Sequence, residues 1–549
     1  MGNYRLEKKT MNLIIYLYLA LPIVIFALGF CKWYFGLLTL AAVAVSIAEL
    51  VFIKPSYDES EGTVINKANA EKLVLAAVII GFWVYFSGIG KLIFQTDDHT
   101  TRNLLYEILV NYEWPVEDYG HGLAYYIGFW MPAAVWGKIF GLQAGYIFQM
   151  VWAGAGLWLV YYLICQRLHC VKLWPLIVFM GFSGLDWLGN LAMYASLDDI
   201  WGNNVIEWWS GYWQFSSNTT QLFWVFNQCI YAWLAMMLIL REKNNRSLIF
   251  ILGCILITCP FPFVGLAIFA VLFMLTRRYK VDKAEYMVGQ KGWVVPFLKD
   301  TITIPNIIGG GVTGLLTASF LMGNMAAGMG DASSLMSPKI IALMFAAVIV
   351  AIAALYVLGI ITDKIGSATL GRNIIVAVVS VVAFLVYNKL MFATFGHGEP
   401  VIYITFIFFE VGVYWIAVYE YQKKKPEYWV MMATLLFCPL IEIGVTGDFC
   451  MRASIPALTL LTIMVIETIR ESNMAKNYIV RNACIILLIL GCVTPMHELL
   501  YSVERTVISV STGANFVNGL EYVHIEDIMQ GYNFSTELEG SFFYNYVAK

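Results

Sequence analysis

Apolar runs, each close to the ~20 residues that a helix needs to cross a ~30 Å hydrocarbon core, recur along this chain from residue 11 to residue 496. In lipid every backbone N–H and C=O must be satisfied within the chain, so only helices or a closed barrel span a bilayer. Runs this long and this continuously apolar are helices, because a membrane strand alternates lipid-facing and lumen-facing residues. The expected fold class is therefore all-α, a polytopic transmembrane helical protein. Composition agrees: of 549 residues 60% are hydrophobic and 13% charged, against ~45–50% and ~25% in an ordinary globular domain. A net charge of -3 points away from nucleic acid. The ten cysteines fall mostly inside apolar stretches (Cys165, Cys254, Cys259, Cys438, Cys492), with no CxxC pair and no zinc-site spacing.

The basic residues set the orientation. Arg5, Lys8 and Lys9 place the N-terminus in the cytoplasm, where "MGNYRLEKKT" reads as a retained signal anchor without a cleavage site or an acylation motif. Spans are expected near 11–30, 34–52, 73–94, 144–165, 173–191, 220–240, 247–259, 262–276, 303–322, 339–361, 373–391, 401–420, 429–445, 454–468 and 483–496. That is about fifteen, or thirteen to fifteen with Pro-interrupted runs such as "ITCPFPFVG" read as one buried feature. The basic clusters "REKNNR", "TRRYKVDK", "DKIGSATLGR", "YQKKK" and "RESNMAKNYIVR" then all fall inside. The first external loop, 95–141, should carry two interfacial helices: "TTRNLLYEILVNYEWPV", stopped by Pro115, and 121–141, kinked by Pro132. Reading that second segment as a span would send Arg167 and Lys172 outside, so parity favours the interfacial reading. The chain divides into an N-terminal hairpin with its connector (1–72), a transmembrane catalytic domain (73–497) and an external tail (498–549).

The same parity gathers the unusual polar residues on the external face. "QTDDHTTRN" places Asp97, Asp98, His99 and Arg102 just past the third span. Asp186, then Asp198, Asp199 and Glu207, then His397 with Glu399, and finally Asp448 with Arg452 follow in later external loops. Ionisable groups at membrane depth cost at least ~2.5 kcal/mol near a helix centre, so they pair or mark a site. An interfacial carboxylate tuned by a neighbouring acid accepts a proton from a hydroxyl or holds a divalent cation, Mg or Mn. The bland reading of Asp97 and Asp98 is a helix N-cap. Arg452 either snorkels and pairs with Asp448 or binds a phosphate, and His397 is a loop residue or a phosphate anchor. The aromatics of "EWWSGYWQF" form an interfacial belt or stack on sugar rings. Gln221 and Asn227 either glue helices or line a cavity. "IIGGGVTGLL" is small-residue helix packing, not a phosphate loop.

An acidic pair after an outward span, an amphipathic helix, and then "GHGLAYYIGFWMPAAVWGKIFGL" resembles the first external loop of the GT-C integral membrane glycosyltransferases. His121, Tyr125, Tyr126, Lys138, Phe140 and Gly141 match that family's segment, and the double proline is absent. "MRASIPAL" also looks like a stretch in bacterial members of the superfamily. The likeness runs in order from about 73 to 191, and the large soluble C-terminal domain of many members is missing. The resemblance implies transfer of a sugar from a polyprenyl-phosphate carrier to an extracytoplasmic glycan, lipid or protein at the cell membrane, with Asp97 or Asp98 at the position of the catalytic acid. Such an enzyme builds cell-envelope polysaccharide or a related glycoconjugate by inverting displacement. His99, Arg102, His121, Asp186, Glu207, Gln221, His397, Asp448 and Arg452 are the candidate substrate contacts, with Arg102 and Arg452 assigned to phosphate. The alternative is a transporter or flippase of a lipid-linked or anionic solute, which needs similar buried charge.

Overall fold

The computed structural model describes residues 2–55, 64–118, 120–194, 206–281, 284–324, 400–441, 447–513, 528 and 534–549. Two expected spans, 339–361 and 373–391, lie outside these residues. Among the described residues eight helices are long and apolar enough to cross a membrane, or nine if the bent pair Val294–Thr301 and Pro305–Leu321, 60° apart, is one span. The chain is an all-α polytopic membrane protein on that evidence, with two small antiparallel sheets added.

The first two spans form the expected hairpin: α1 (Gly2–Phe30) and α2 (Trp33–Ala48) reverse within Cys31 and Lys32. Next come α3 (Ala70–Phe86), α4 (Asp98–Asn111), α5 (Met131–Phe140) and α6 (Leu142–Arg167). The first segment of the loop is helical, as α4. In the second segment the α-helix has only ten residues, preceded directly by a 3₁₀ turn at Gly128–Trp130; ten residues rise about 15 Å, half of what a span needs. Residues 121–123 are instead a strand, so helix was over-assigned there. Lys138 on α5 donates to the Val110 and Tyr112 carbonyls at 3.1 and 2.5 Å, tying the end of α4 to α5.

The centre of the molecule is α9 (Asn218–Arg241), whose most apolar stretch is 94% buried. It packs against α6, α7 (Trp174–Gly181), α11 (Pro260–Thr276), α18 (Ile455–Met474) and α20 (Val493–Thr512). It is not straight. Val225 sits at φ -132°, ψ 35°, which breaks the ladder and releases carbonyls to other partners.

Among the described residues fewer helices qualify as spans than the apolar runs suggest, in part because proline cuts several of those runs into short helices. Residues 247–259 hold only α10 (Leu248–Ile255), and Pro260 then starts α11. The carbonyl of Ile257, freed at this break, accepts from Gly128 N–H at 3.0 Å. Residues 429–445 similarly hold α16 (Pro426–Phe437) and a 3₁₀ turn at Cys438–Leu440. The helix α18 is long enough to span but carries Glu467, Arg470 and Glu471. Gly310 of "IIGGGVTGLL" packs so tightly that a Cβ would lie 2.6 Å from the Ile249 carbonyl, which supports the helix-packing reading.

The basic ends of the helices meet. Arg167 at the end of α6 and Lys425 before α16 both grip Glu467, at 2.6 and 2.8 Å, and Arg167 also reaches the Leu240 carbonyl of α9 at 3.4 Å. Four helix ends that carry lysine or arginine thus lie together. At the opposite end the chain terminus is no loose tail. The strands β1 (Glu117–Asp118), β2 (His121–Leu123) and β5 (Ser535–Glu537) form one sheet, and Tyr544 lies over Gly122 and donates to the Leu123 carbonyl at 2.8 Å. The Lys549 and Lys32 amides bond the Phe30 and Val547 carbonyls at the α1–α2 turn. Residues 498–512, expected in the tail, belong to α20, which follows α19 (Tyr478–Gly491) almost without interruption.

Candidate functional site

Asp98 opens α4, and Arg102 one turn later donates Nη2–H to its Oδ2 at 2.7 Å. Asp448 and Arg452 repeat the same i,i+4 pairing on α17 (Asp448–Ala453), again at 2.7 Å. The four residues are 350 positions apart in the chain, yet the Arg452 charge acts on Asp98, Tyr125 and Tyr126, and the Arg102 charge acts on Tyr125. Tyr125 and Tyr126 stack with ring centroids 3.7 Å apart and share a hydroxyl–hydroxyl hydrogen bond. Two arginines, two aspartates and two phenols therefore make one polar site at the end of the bundle opposite the basic turns.

Both arginines are held from the apolar side. Arg102 lies over Phe226 with 5.6 Å to the ring centre, and Arg452 over Phe261 with 5.9 Å. Their side chains keep 10% and 12% of their exposure, whereas Asp98 keeps 45%. Arg102 Nη1 and Arg452 Nε are buried without an acceptor. A buried N–H left unmade costs about 1–3 kcal/mol, more for a charged group. Burial by itself would raise Asp98, but Arg102 and Arg452 outweigh it and hold the carboxyl below its usual range, so it stays ionised at neutral pH.

Asp97 is exposed, and its side chain makes no capping hydrogen bond to α4, so the N-cap reading fails for it. His99 is a buried packing residue. It is 1% exposed, stacks on Phe226, receives Gln95 Nε2–H at Nδ1 (3.2 Å) and meets the Phe223 carbonyl at Nε2 (3.1 Å). Those partners fix the proton on Nε2. Burial and the Arg102 charge push the imidazole down to about 3, so it is a neutral strut between the start of α4 and the kinked part of α9. Gln221 is also structural: its amide donates to the Ser216 carbonyl at 2.7 Å and accepts from Trp233 at 3.1 Å, and it is fully buried. His121 lies in β2 between Asp118 and Glu537. His397, Asp198, Asp199 and Glu399 lie outside the described residues.

Asp186 and Glu207 belong to a second cluster. Asp186, which begins α8 (Asp186–Tyr194), accepts from Ser183 at 2.9 Å and Thr494 at 2.7 Å. It is also hydrogen-bonded to the carboxyl of Glu410, a contact that needs one proton between them. Glu207 takes three donors, Ser217 N–H, Thr220 and Gln214, at 2.7–2.8 Å. Burial and the nearby Asp186 nevertheless push it up to about 8. Trp209 donates to Glu410 at 2.7 Å and Trp224 to Glu498 at 3.1 Å. All four acids are 4% exposed or less. Trp209 and Trp213 are buried against Phe406, so these two tryptophans of "EWWSGYWQF" form neither a belt nor a sugar platform.

Glu410 and Glu498 are not among the residues that the sequence singles out, and Tyr125 and Tyr126 enter there only as matches to the family segment, without a site role. Glu410 had a visible signal, a lone carboxylate in the middle of "TFIFFEVGVYW". Glu498 was assigned to the tail.

Among the described residues no three His, Cys, Asp or Glu side chains come together to hold a metal ion, and Asp98 already gives an oxygen to Arg102. The acidic pair does not fit a protein-held Mg or Mn. All ten cysteines are free. Compared with known proteins, the chain matches no family model, no curated protein and no solved structure.

Proposed function

We propose that this chain is a GT-C-type membrane glycosyltransferase that moves a sugar from a polyprenyl-phosphate carrier to an acceptor hydroxyl. One observation carries the reading: two arginines anchored by their own aspartates still present buried, unpartnered N–H groups at a shared site with an ionised Asp98. A phosphate supplies the missing acceptors, and guanidinium is the side chain suited to it. The donor phosphate sits on Arg102 and Arg452, with the Tyr125–Tyr126 hydroxyls beside it. The acceptor oxygen attacks the anomeric carbon as the bond to the phosphate oxygen breaks. Its proton passes to Asp98 or Asp97, and the electron pair leaves on the phosphate, whose growing charge the arginines stabilise. Arg102 keeps Asp98 a weak base, so proton transfer comes late, when the attacking hydroxyl has become acidic. Asp97, exposed one residue earlier, is the competing base.

The transporter reading draws on a different feature, the four buried acids Asp186, Glu207, Glu410 and Glu498. Purified protein in vesicles containing a polyprenyl-phosphate sugar separates the two. Consumption of the donor, lost in Asp98→Asn or Asp97→Asn by about 100- to 10,000-fold, supports transfer. Translocation of the intact carrier without cleavage, or full activity in both variants, refutes it.

A further inference from the structure

At the basic end of the bundle a groove of about 720 Å³ opens between the turn after α6, α7, the end of α18 and the start of α19. Its floor is aliphatic, with Ile177, Ile485 and Ile489 exposed at 52%, 37% and 66%. Its mouth carries Lys172, Arg470 and Arg481. We propose that this groove binds one anionic phospholipid of the leaflet at the basic end, its phosphate between those three cations and an acyl chain along the floor. The site is separate from the one assigned to transfer and does not depend on that reading.

Length and charge select this occupant. From Arg481 to Cys492, both lining the groove, the helical rise is about 16 Å, close to half of a ~30 Å hydrocarbon core. The groove therefore runs from the interface to near the midplane, the reach of a single acyl chain. The cations come from three separate elements, and among the described residues none of them has a carboxylate within ion-pair distance. Glu471, next along α18, does not line the groove. Arg481 is aimed by contacts that leave its charge uncompensated: it lies 4.7 Å over Tyr478 and donates to the Asn473 and Asn482 side-chain oxygens. Three other basic groups at this end are paired with carboxylates, Arg167 and Lys425 with Glu467 and Arg246 with Glu49. Basic pockets between helices on the positively charged side are suited to anionic headgroups.

The test uses full-length protein in neutral detergent, with thermal unfolding followed as phosphatidylglycerol, phosphatidylcholine or inorganic phosphate is added. Phosphatidylglycerol is expected to raise Tm in a saturable way, with little response to the other two. Lys172→Gln/Arg470→Gln/Arg481→Gln should weaken apparent binding on the order of a hundredfold, while Lys172→Arg/Arg470→Lys/Arg481→Lys keeps it. Ile485→Trp, which leaves every charge in place and fills the floor, should also abolish the response and covers the case in which the triple glutamine variant does not fold. An equal response to phosphatidylcholine reduces the groove to a non-selective lipid contact, and an equal response to phosphate alone makes it an ion site. Either result, or an unchanged response in the Ile485→Trp variant, overturns the proposal.

Discussion

The Arg452 side chain separates binding from chemistry. Lysine would keep the charge but lose the planar group that stacks over Phe261 and bonds Asp448 while directing Nε–H elsewhere. In Arg452→Lys the KM for the lipid-phosphate donor should rise about tenfold, the scale of one charged hydrogen bond, with a smaller change in kcat. A variant with unchanged KM and lost kcat would place Arg452 outside phosphate binding. His99 teaches the opposite lesson. Its proximity to Asp98 in the chain suggested a shared task, but successive helical residues point about 100° apart. Asp98 therefore turns outward while His99 turns into the apolar contact with Phe226.

Among the elements, α9 does the most to assemble the site. Its start is secured by Ser217, which accepts from the Thr220 amide at 3.0 Å, and the same Ser217 amide donates to Glu207. Ser217→Ala removes a cap worth about 1 kcal/mol, and the loss should appear as earlier unfolding in a denaturing-detergent titration. An unchanged midpoint would mean that packing, not the cap, holds this end. Farther along, the kink at Val225 frees the Phe223 carbonyl for His99. No pattern in "QLFWVFNQ" announced the kink, because no proline or glycine stands there; only the neighbouring helix shows what the irregularity accommodates.

For the molecule as a whole, the buried acids predict a dependence on pH. Glu207, up at about 8 in the folded protein, binds its proton more tightly than the unfolded chain, where glutamate titrates near 4.5. Its contribution to stability is thus full below pH 4.5 and is lost as pH rises towards 8. Thermal unfolding of the wild type across pH 5 to 9 should show a falling Tm, and Glu207→Gln should flatten that part of the curve. An identical slope in the variant would assign the effect to another group. The neutral His99 works in the opposite sense, its contribution being lost as pH falls below 6.5 towards 3.

By itself the sequence determined the class of the fold, the α1–α2 hairpin and the existence of the helix α4, because hydrocarbon thickness and apolar periodicity act through local composition. It also offered the pairing of Arg452 with Asp448, which the structure forms at i,i+4 spacing. It did not determine how proline breaks would be used, so apolar runs were counted as spans where short helices pack. Nor did it show that Asp98 and Arg452 share a site, that Asp186 joins Glu410, or that the end of the chain closes a sheet with residues 121–123. Those pairings join residues hundreds of positions apart, and only the packing of helices around α9 brings them within range of one another.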